Sequence, residues 1–259
     1  MRIGAYQFEI TGDEEHNYEC IRKGIEKATA SDVRLLVFPE CAVTGYPPHC
    51  IKSSSDVNFP VVNIIHDRIQ ALAEENDIFL VIGTILEEGE NHYNAAILFS
   101  PDGQHVIYRK RALWGWDREN FFVGEDSGVV KIDSYKVGIR ICFEVRFPEF
   151  FRELYKEQTD LNLILFFDKS DREDFERYNL IKGHIQTRAV ENVCHILTCN
   201  TSAVYQTAPT GLYDRSGRTM IELERDKEGL LIYDFDPTPM DFGELGRKEI
   251  SDFLSGFNV

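Results

Sequence analysis

Short runs of Val, Ile, Leu and Phe recur along the chain, separated by stretches in which an apolar residue returns every three or four positions. Apolar runs of four to eight residues bounded by turn formers read as buried strands. They fall at 2–8, 34–38, 78–85, 93–100, 105–109, 128–133, 137–142, 161–167, 193–201, 219–223 and 230–235. Tyr18, Ile21, Ile25 and Ala28 form one helical stripe with Glu and Lys on the other side, and Val61, Ile65, Ile69 and Leu72 form a second. Phe147 and Pro148 open a third helix, with Phe151, Leu154 and Tyr155 on its inner face. SPDGQ at 100–104 and DRSGR at 214–218 carry glycine where a hairpin needs positive φ, so antiparallel pairs are expected inside mixed sheets. Each sheet face must be buried against something, and strands this numerous with few helices fit two sheets flanked by helices.

No linker, low-complexity tract or repeat of 20–50 residues interrupts the pattern. The 259 residues are expected to form a single α/β domain, with 242–259 a more polar tail that packs on a partner or hangs free. Hydrophobic residues at 43% and charged residues at 28% are ordinary globular values, which excludes disordered and collagen-like classes. A net charge of −16 repels phosphate backbones, so nucleic acid is set aside as a partner. The chain has no apolar run of membrane-spanning length, and its N-terminus turns acidic before a signal-peptide core forms, so a soluble, cytoplasmic protein without a membrane partner is expected.

Six cysteines are too sparse for a disulfide scaffold, and no Cys-x-x-Cys spacing suggests a zinc site, so no metal is expected. Cys194 and Cys199 lie inside the strand-like VCHILTCN and read as core. Cys142 differs: Val137, Ile139 and Ile141 alternate along a strand that ends on it, just before the helix at Pro148. A thiol ahead of a helix start is expected to gain from the free N–H groups there, with a lowered pKa. Two further reactive side chains end apolar runs, Glu40 in RLLVFPECAVTGYP and Lys110 in HVIYRKRALWGW. Either has an ordinary reading, as a solvated loop acid or as a lysine with its stem across Trp114 and Trp116. Together, a carboxylate, a cation and a thiol at three strand ends supply the base, charge stabiliser and nucleophile of covalent amide hydrolysis.

FPE at 38–40, TGYP at 44–47, YRK at 108–110, CFEVRFPE at 142–149 and TRAVEN at 187–192 with Asn200 resemble the nitrilase superfamily of carbon–nitrogen hydrolases, over nearly the whole chain. The resemblance implies an α-β-β-α sandwich without metal or organic cofactor. It also implies Glu40 as general base, Lys110 as electrostatic stabiliser and Cys142 as nucleophile, with the Phe143 backbone N–H completing an oxyanion site. Many members carry a second glutamate seven residues before a glycine. Counting back from Gly124 finds Asp117 instead, with Glu119 as a possible substitute. Ala112 stands where the family often has histidine, and DKSDRED follows LNLILFF where a small or aromatic pocket segment is usual.

The CFEVRFPE string is more similar to the amidase-like branches than to the nitrile-cutting one, so a small amide is the expected substrate. Arg146 matches a position that holds a substrate carboxylate in carbamoylase-like relatives, or else it pairs with Glu144 or Glu149. Tyr46 lines the pocket or packs on the sheet, and Asp168 and Lys169 give the pocket polarity or face solvent. Family members commonly form homodimers or larger assemblies through helices near the cysteine and through the C-terminal segment. The rival readings are an N-carbamoyl hydrolase or nitrilase on the same residues, a catalytically silent module, and a thiol redox sensor that pairs Cys142 with a cysteine such as Cys41.

Overall fold

The structure is a computed structural model that describes residues 1–237 and 239–257. Its elements are β1 (Arg2–Gln7), α1 (Glu14–Thr29), β2 (Leu35–Val37), α2 (Phe59–Glu75), β3 (Phe79–Glu88), β4 (Asn91–Phe99), β5 (His105–Arg109), α3 (Trp116–Asn120), β6 (Val129–Ile132), β7 (Tyr135–Ile141), α4 (Pro148–Lys156), β8 (Leu161–Leu165), α5 (Phe175–Glu191), β9 (His195–Cys199), β10 (Gly211–Tyr213), β11 (Thr219–Glu222), β12 (Gly229–Asp234) and α6 (Phe242–Leu254).

The strands make two sheets, β12-β1-β2-β3-β4-β5 and β11-β10-β9-β8-β7-β6. In the first, β1, β2 and β3 run parallel and the flanking strands antiparallel; in the second, β7, β8 and β9 are the parallel trio. Successive side chains leave a strand on opposite faces, and each face meets a different core. Leu35 and Val37 point between the sheets, where Ile139, Ile141, Leu163 and Leu165 meet them. Leu36 points outward into the layer beneath α1 and α2, with Ile21, Ile25, Ile65 and Ile69. On the far side, Ile164 and Ile196 pack under α4 and α5 against Phe151, Leu154, Ile181 and Ile185. The result is the expected α-β-β-α order of layers, and burial on both faces is why Leu35–Val37 and 79–82 read as unbroken apolar runs, while β7, β8 and β9 each bury one polar residue, Arg140, Asn162 and Thr198.

Both hairpins form where their glycines require, with Gly103 at φ +82° between β4 and β5 and Gly217 at φ +74° between β10 and β11. Proline opens α4 as expected, and Asp13 caps α1 by accepting from the His16 N–H. Three helices exceed the pattern-based reading: α3, α5 and α6. The helix α6 occupies most of the expected polar tail, whose last two residues lie outside the described ones. It is tied down by Tyr155, whose hydroxyl donates to Asp252 Oδ1 at 2.6 Å, and by Arg247, which donates to the Arg215 carbonyl at 3.2 Å.

Candidate active site

Four segments leave the ends of strands on one side of the sandwich and converge. Phe38, Pro39 and Glu40 follow β2, Lys110 follows β5, Cys142 follows β7, and Phe166, Phe167 and Asp168 follow β8. The turn carrying Glu40 lies directly on β3. A Cβ on Gly83 would come within 2.3 Å of the Pro39 carbonyl and 2.6 Å of the Glu40 Cα, so only glycine admits this approach. The chain turns sharply after Glu40, with Cys41 at φ +51°, and Cys142 itself sits at φ +46°, where the strand breaks into a short 3-10 turn over Cys142–Arg146. A non-glycine residue held in the left-handed region is strained, and such residues concentrate at functional sites.

Glu40, Lys110 and Asp117 are buried together. The Lys110 ammonium donates to Glu40 Oε1 at 2.7 Å and lies 2.8 Å from Asp117 Oδ2. Asn94 Nδ2 donates to Glu40 Oε1 at 2.7 Å, the Phe167 N–H donates to Oε2 at 2.8 Å, and the Tyr46 hydroxyl donates to Asp117 Oδ1 at 2.7 Å. Burial raises the Glu40 carboxyl above its usual range, and Lys110 pulls part of that back. Burial alone would lower Lys110, but Glu40 and Asp117 more than reverse it and hold the ammonium well above its ordinary value. Lys110 is therefore a fixed cation shared by two carboxylates, not a snorkelling side chain.

Cys142 departs from the expectation of a lowered pKa. Burial, and next the Glu40 carboxylate, push its thiol well up, with only Lys110 opposing. The reason is geometric: the 3-10 turn separates Cys142 from α4, so the thiol does not sit on that helix's N-terminus. The resting group is a thiol, and attack requires a neighbouring base to take its proton.

Cys142 opens on a cavity of about 440 Å³ whose walls include Tyr46, Trp116, Asp117, Phe143, Arg146 and Asp168. Of the two acids at the second acidic position, Asp117 reaches Lys110 at 2.8 Å, while Glu119 is exposed. Tyr46 lines the cavity and also packs, its ring 5.1 Å from that of Phe167. Arg146 pairs with neither Glu144 nor Glu149. Glu144 is fully buried and otherwise engaged, Glu149 is exposed, and the Arg146 guanidinium lies 5.8 Å from the centre of the Phe143 ring. No ion-pair partner for Arg146 or Lys169 exists among the described residues, and both face the cavity. Asp168 lines it too, but is held by Arg177 at 2.8 Å and by the Thr207 hydroxyl, while Asn200 clamps its backbone. A wider apolar groove of about 700 Å³ shares Trp114 and Phe143 with this cavity but contains none of the buried charges. Among the described residues, no group of three or more His, Cys, Asp or Glu side chains is arranged to hold a metal ion, and no helix is long and apolar enough to cross a membrane.

Two residues missed by pattern reading, Asn94 and Glu144, are buried polar partners of the strand-end residues. Asn94 could have been suspected as the polar member of an otherwise apolar strand, but its partner is distant in sequence.

The sequence pattern of the carbon–nitrogen hydrolase family matches residues 2–240, and the chain belongs to that family. It is 26% identical to the deaminated glutathione amidase of Dictyostelium discoideum, over 97% of this chain and 92% of that protein. It is 27% identical to the 2-oxoglutaramate amidase of Bacillus subtilis, over 76% of this chain and 75% of that one. The crystal structure of an amidase from Nesterenkonia sp. superposes with a TM-score of 0.81 at 24% identity, covering 96% of each chain, so the two share one fold.

Proposed function

We propose that Glu40, Lys110, Asp117 and Cys142 hydrolyse a small amide that carries a carboxylate remote from the scissile bond. The observation that carries this reading is the buried Glu40–Lys110–Asp117 network beside the Cys142 thiol, in a cavity whose wall also holds Arg146 and Lys169, two cations without an ion-pair partner among the described residues. Glu40 takes the Cys142 proton as the sulfur attacks the amide carbonyl, and Lys110 with the Phe143 N–H stabilises the oxyanion. As the tetrahedral adduct collapses, the proton passes from Glu40 to the departing nitrogen, which leaves as ammonia or an amine. Glu40 then takes a proton from water as its oxygen attacks the thioester, and returns that proton to the departing Cys142 sulfur, so that the acid is released and both the thiol and the carboxylate are restored. Asp117 keeps Lys110 in place and is itself oriented by Tyr46. No cofactor enters these steps.

Arg146 and Lys169 supply the recognition of the distal carboxylate, because a guanidinium with no ion-pair partner among the described residues can offer two parallel hydrogen bonds to it. Ammonia release from succinamate and from butyramide tests this. Arg146→Leu should raise KM for succinamate about 10–100-fold, the worth of a charge-assisted hydrogen bond, and leave kcat and the butyramide kinetics within a few-fold. Equal effects on both amides would refute the anionic substrate class.

Self-association in the cytoplasm belongs to the same proposal. Its support is apolar surface left uncovered on α6, where Phe242, Phe253 and Leu254 are exposed, and beside the cavity at Phe122, Val123 and Phe147. Light scattering on purified protein should give at least twice the 29.9 kDa chain mass; a monomer at micromolar concentration would contradict it.

A further inference from the structure

Lys110 and Cys142 are delivered by different sheets. Lys110 leaves β5, the edge strand of the first sheet, and Cys142 leaves β7, next to the edge strand β6 of the second. No backbone ladder joins the two sheets; single backbone bonds such as Glu40 N–H to the Phe166 carbonyl at 3.3 Å tie the ends of β2 and β8, and the separation of the β5 and β7 ends rests chiefly on side chains. A misplacement of about 1 Å between reacting groups costs on the order of a hundredfold in rate.

The Glu144 side chain spans this gap. Glu144 is completely buried. Its Oε2 accepts from the Ile141 N–H at 2.7 Å, the residue before the nucleophile. Its Oε1 accepts from the Tyr108 hydroxyl at 2.8 Å, the Arg111 N–H at 2.7 Å and the Ala112 N–H at 3.4 Å, which bracket Lys110 on both sides. Tyr108 is itself buried, its ring 5.3 Å from the Arg140 guanidinium, which donates to the Ser127 carbonyl at 2.9 Å and the Phe150 carbonyl at 2.7 Å. Every donor on Glu144 is a backbone N–H or a hydroxyl, and no lysine or arginine side chain pairs with it among the described residues. A carboxylate buried in this way, tied only to the two strand ends, is a costly device for stability alone.

We infer that Glu144 is a positioning residue, and that the Tyr108–Glu144 link sets the distance between the Lys110 ammonium and the Cys142 sulfur. The inference rests on the hydrolase reading above, since it gives that distance its importance.

The test uses Glu144→Gln and Tyr108→Phe in the full chain. The glutamine keeps the shape but turns an NH2 group toward one of the N–H donors, so one tie becomes donor facing donor. Tyr108→Phe removes a single hydroxyl. Two quantities are read: kcat and KM for succinamate, and the pH profile of Cys142 alkylation by iodoacetamide. With the link loosened, Lys110 no longer offsets the burial of the thiol. Glu144→Gln should therefore lower kcat about 10–100-fold with KM within about threefold, and move the alkylation profile to higher pH. Tyr108→Phe should shift both in the same direction by less. A role confined to folding would lower thermal stability and leave the alkylation profile of the folded protein where it was. That result, or wild-type kcat in both variants, overturns the proposal. Should Glu144→Gln fail to fold, Tyr108→Phe alone decides, with unchanged kcat and profile as the overturning result. Because alkylation needs no amide, a shifted profile in a protein inert to every amide would uphold the positioning role while refuting the substrate reading.

Discussion

Cys142→Ala is expected to reduce ammonia release from any amide the wild type accepts by at least about a thousandfold, as loss of a covalent nucleophile does. The fold should survive, because Cys142 lines the cavity and alanine removes one sulfur without introducing a new group. The conformation at position 142, φ +46°, is disfavoured for alanine as for cysteine, so the backbone strain is unchanged by the swap. The measurement is ammonia release at saturating amide with a thermal melt beside it. Residual turnover within tenfold of wild type would remove Cys142 from the chemistry and revive the reading of a thiol with another task.

Lys110→Met should do its largest damage to stability. The substitution keeps most of the side-chain volume and leaves two buried carboxylates, Glu40 and Asp117, facing each other without their shared cation. Removing one partner from a buried ion pair costs about 3–5 kcal/mol, because the remaining charge keeps its desolvation penalty. The pH dependence has a definite sign. Burial already holds Glu40 above its usual value, and without Lys110 nothing basic pulls it back. A carboxyl whose folded pKa exceeds its unfolded one stabilises below the unfolded value and loses that contribution as pH rises through the folded one. Denaturant titrations should therefore find the gap between Lys110→Met and wild type widest at neutral pH and narrowing toward pH 5. A gap independent of pH would mean that Glu40 is not the group left unbalanced.

The sequence made the sandwich legible because the strands carrying its centre are buried on both faces. Leu35 and Val37 serve one core and Leu36 another, and no polar residue interrupts the run. The helix α5 was harder to see. Its inward positions Tyr178, Ile181, Ile185 and Ala189 are correctly spaced, but Gly183, His184 and several charges lie between them, and the buried Arg188 reads as polar. The strand β10 is three residues long, too short for periodicity to register. Among the site residues, Glu40, Lys110, Asp117 and Cys142 could be named from motifs, and the structure brings them together. Asn94, Tyr108 and Glu144 could not be assigned to them, because a buried polar residue is understood only once its distant partner is known. The lowered pKa expected of Cys142 fails for a related reason: distance along the chain to a helix start says nothing of the turn between.

The cavity mouth also equips the protein with an optical readout. The chain has only two tryptophans, Trp114 and Trp116, and both line the opening, 65% and 52% exposed, the second with its ring centre 5.6 Å from that of His49. No tryptophan elsewhere dilutes the signal, so intrinsic emission belongs almost wholly to this lip. A ligand that enters displaces water from one or both indoles and shifts their emission to shorter wavelength. Occupancy can thus be followed in the unlabelled Cys142→Ala protein, where binding proceeds without turnover, and candidate amides ranked by spectrum before any of them is hydrolysed.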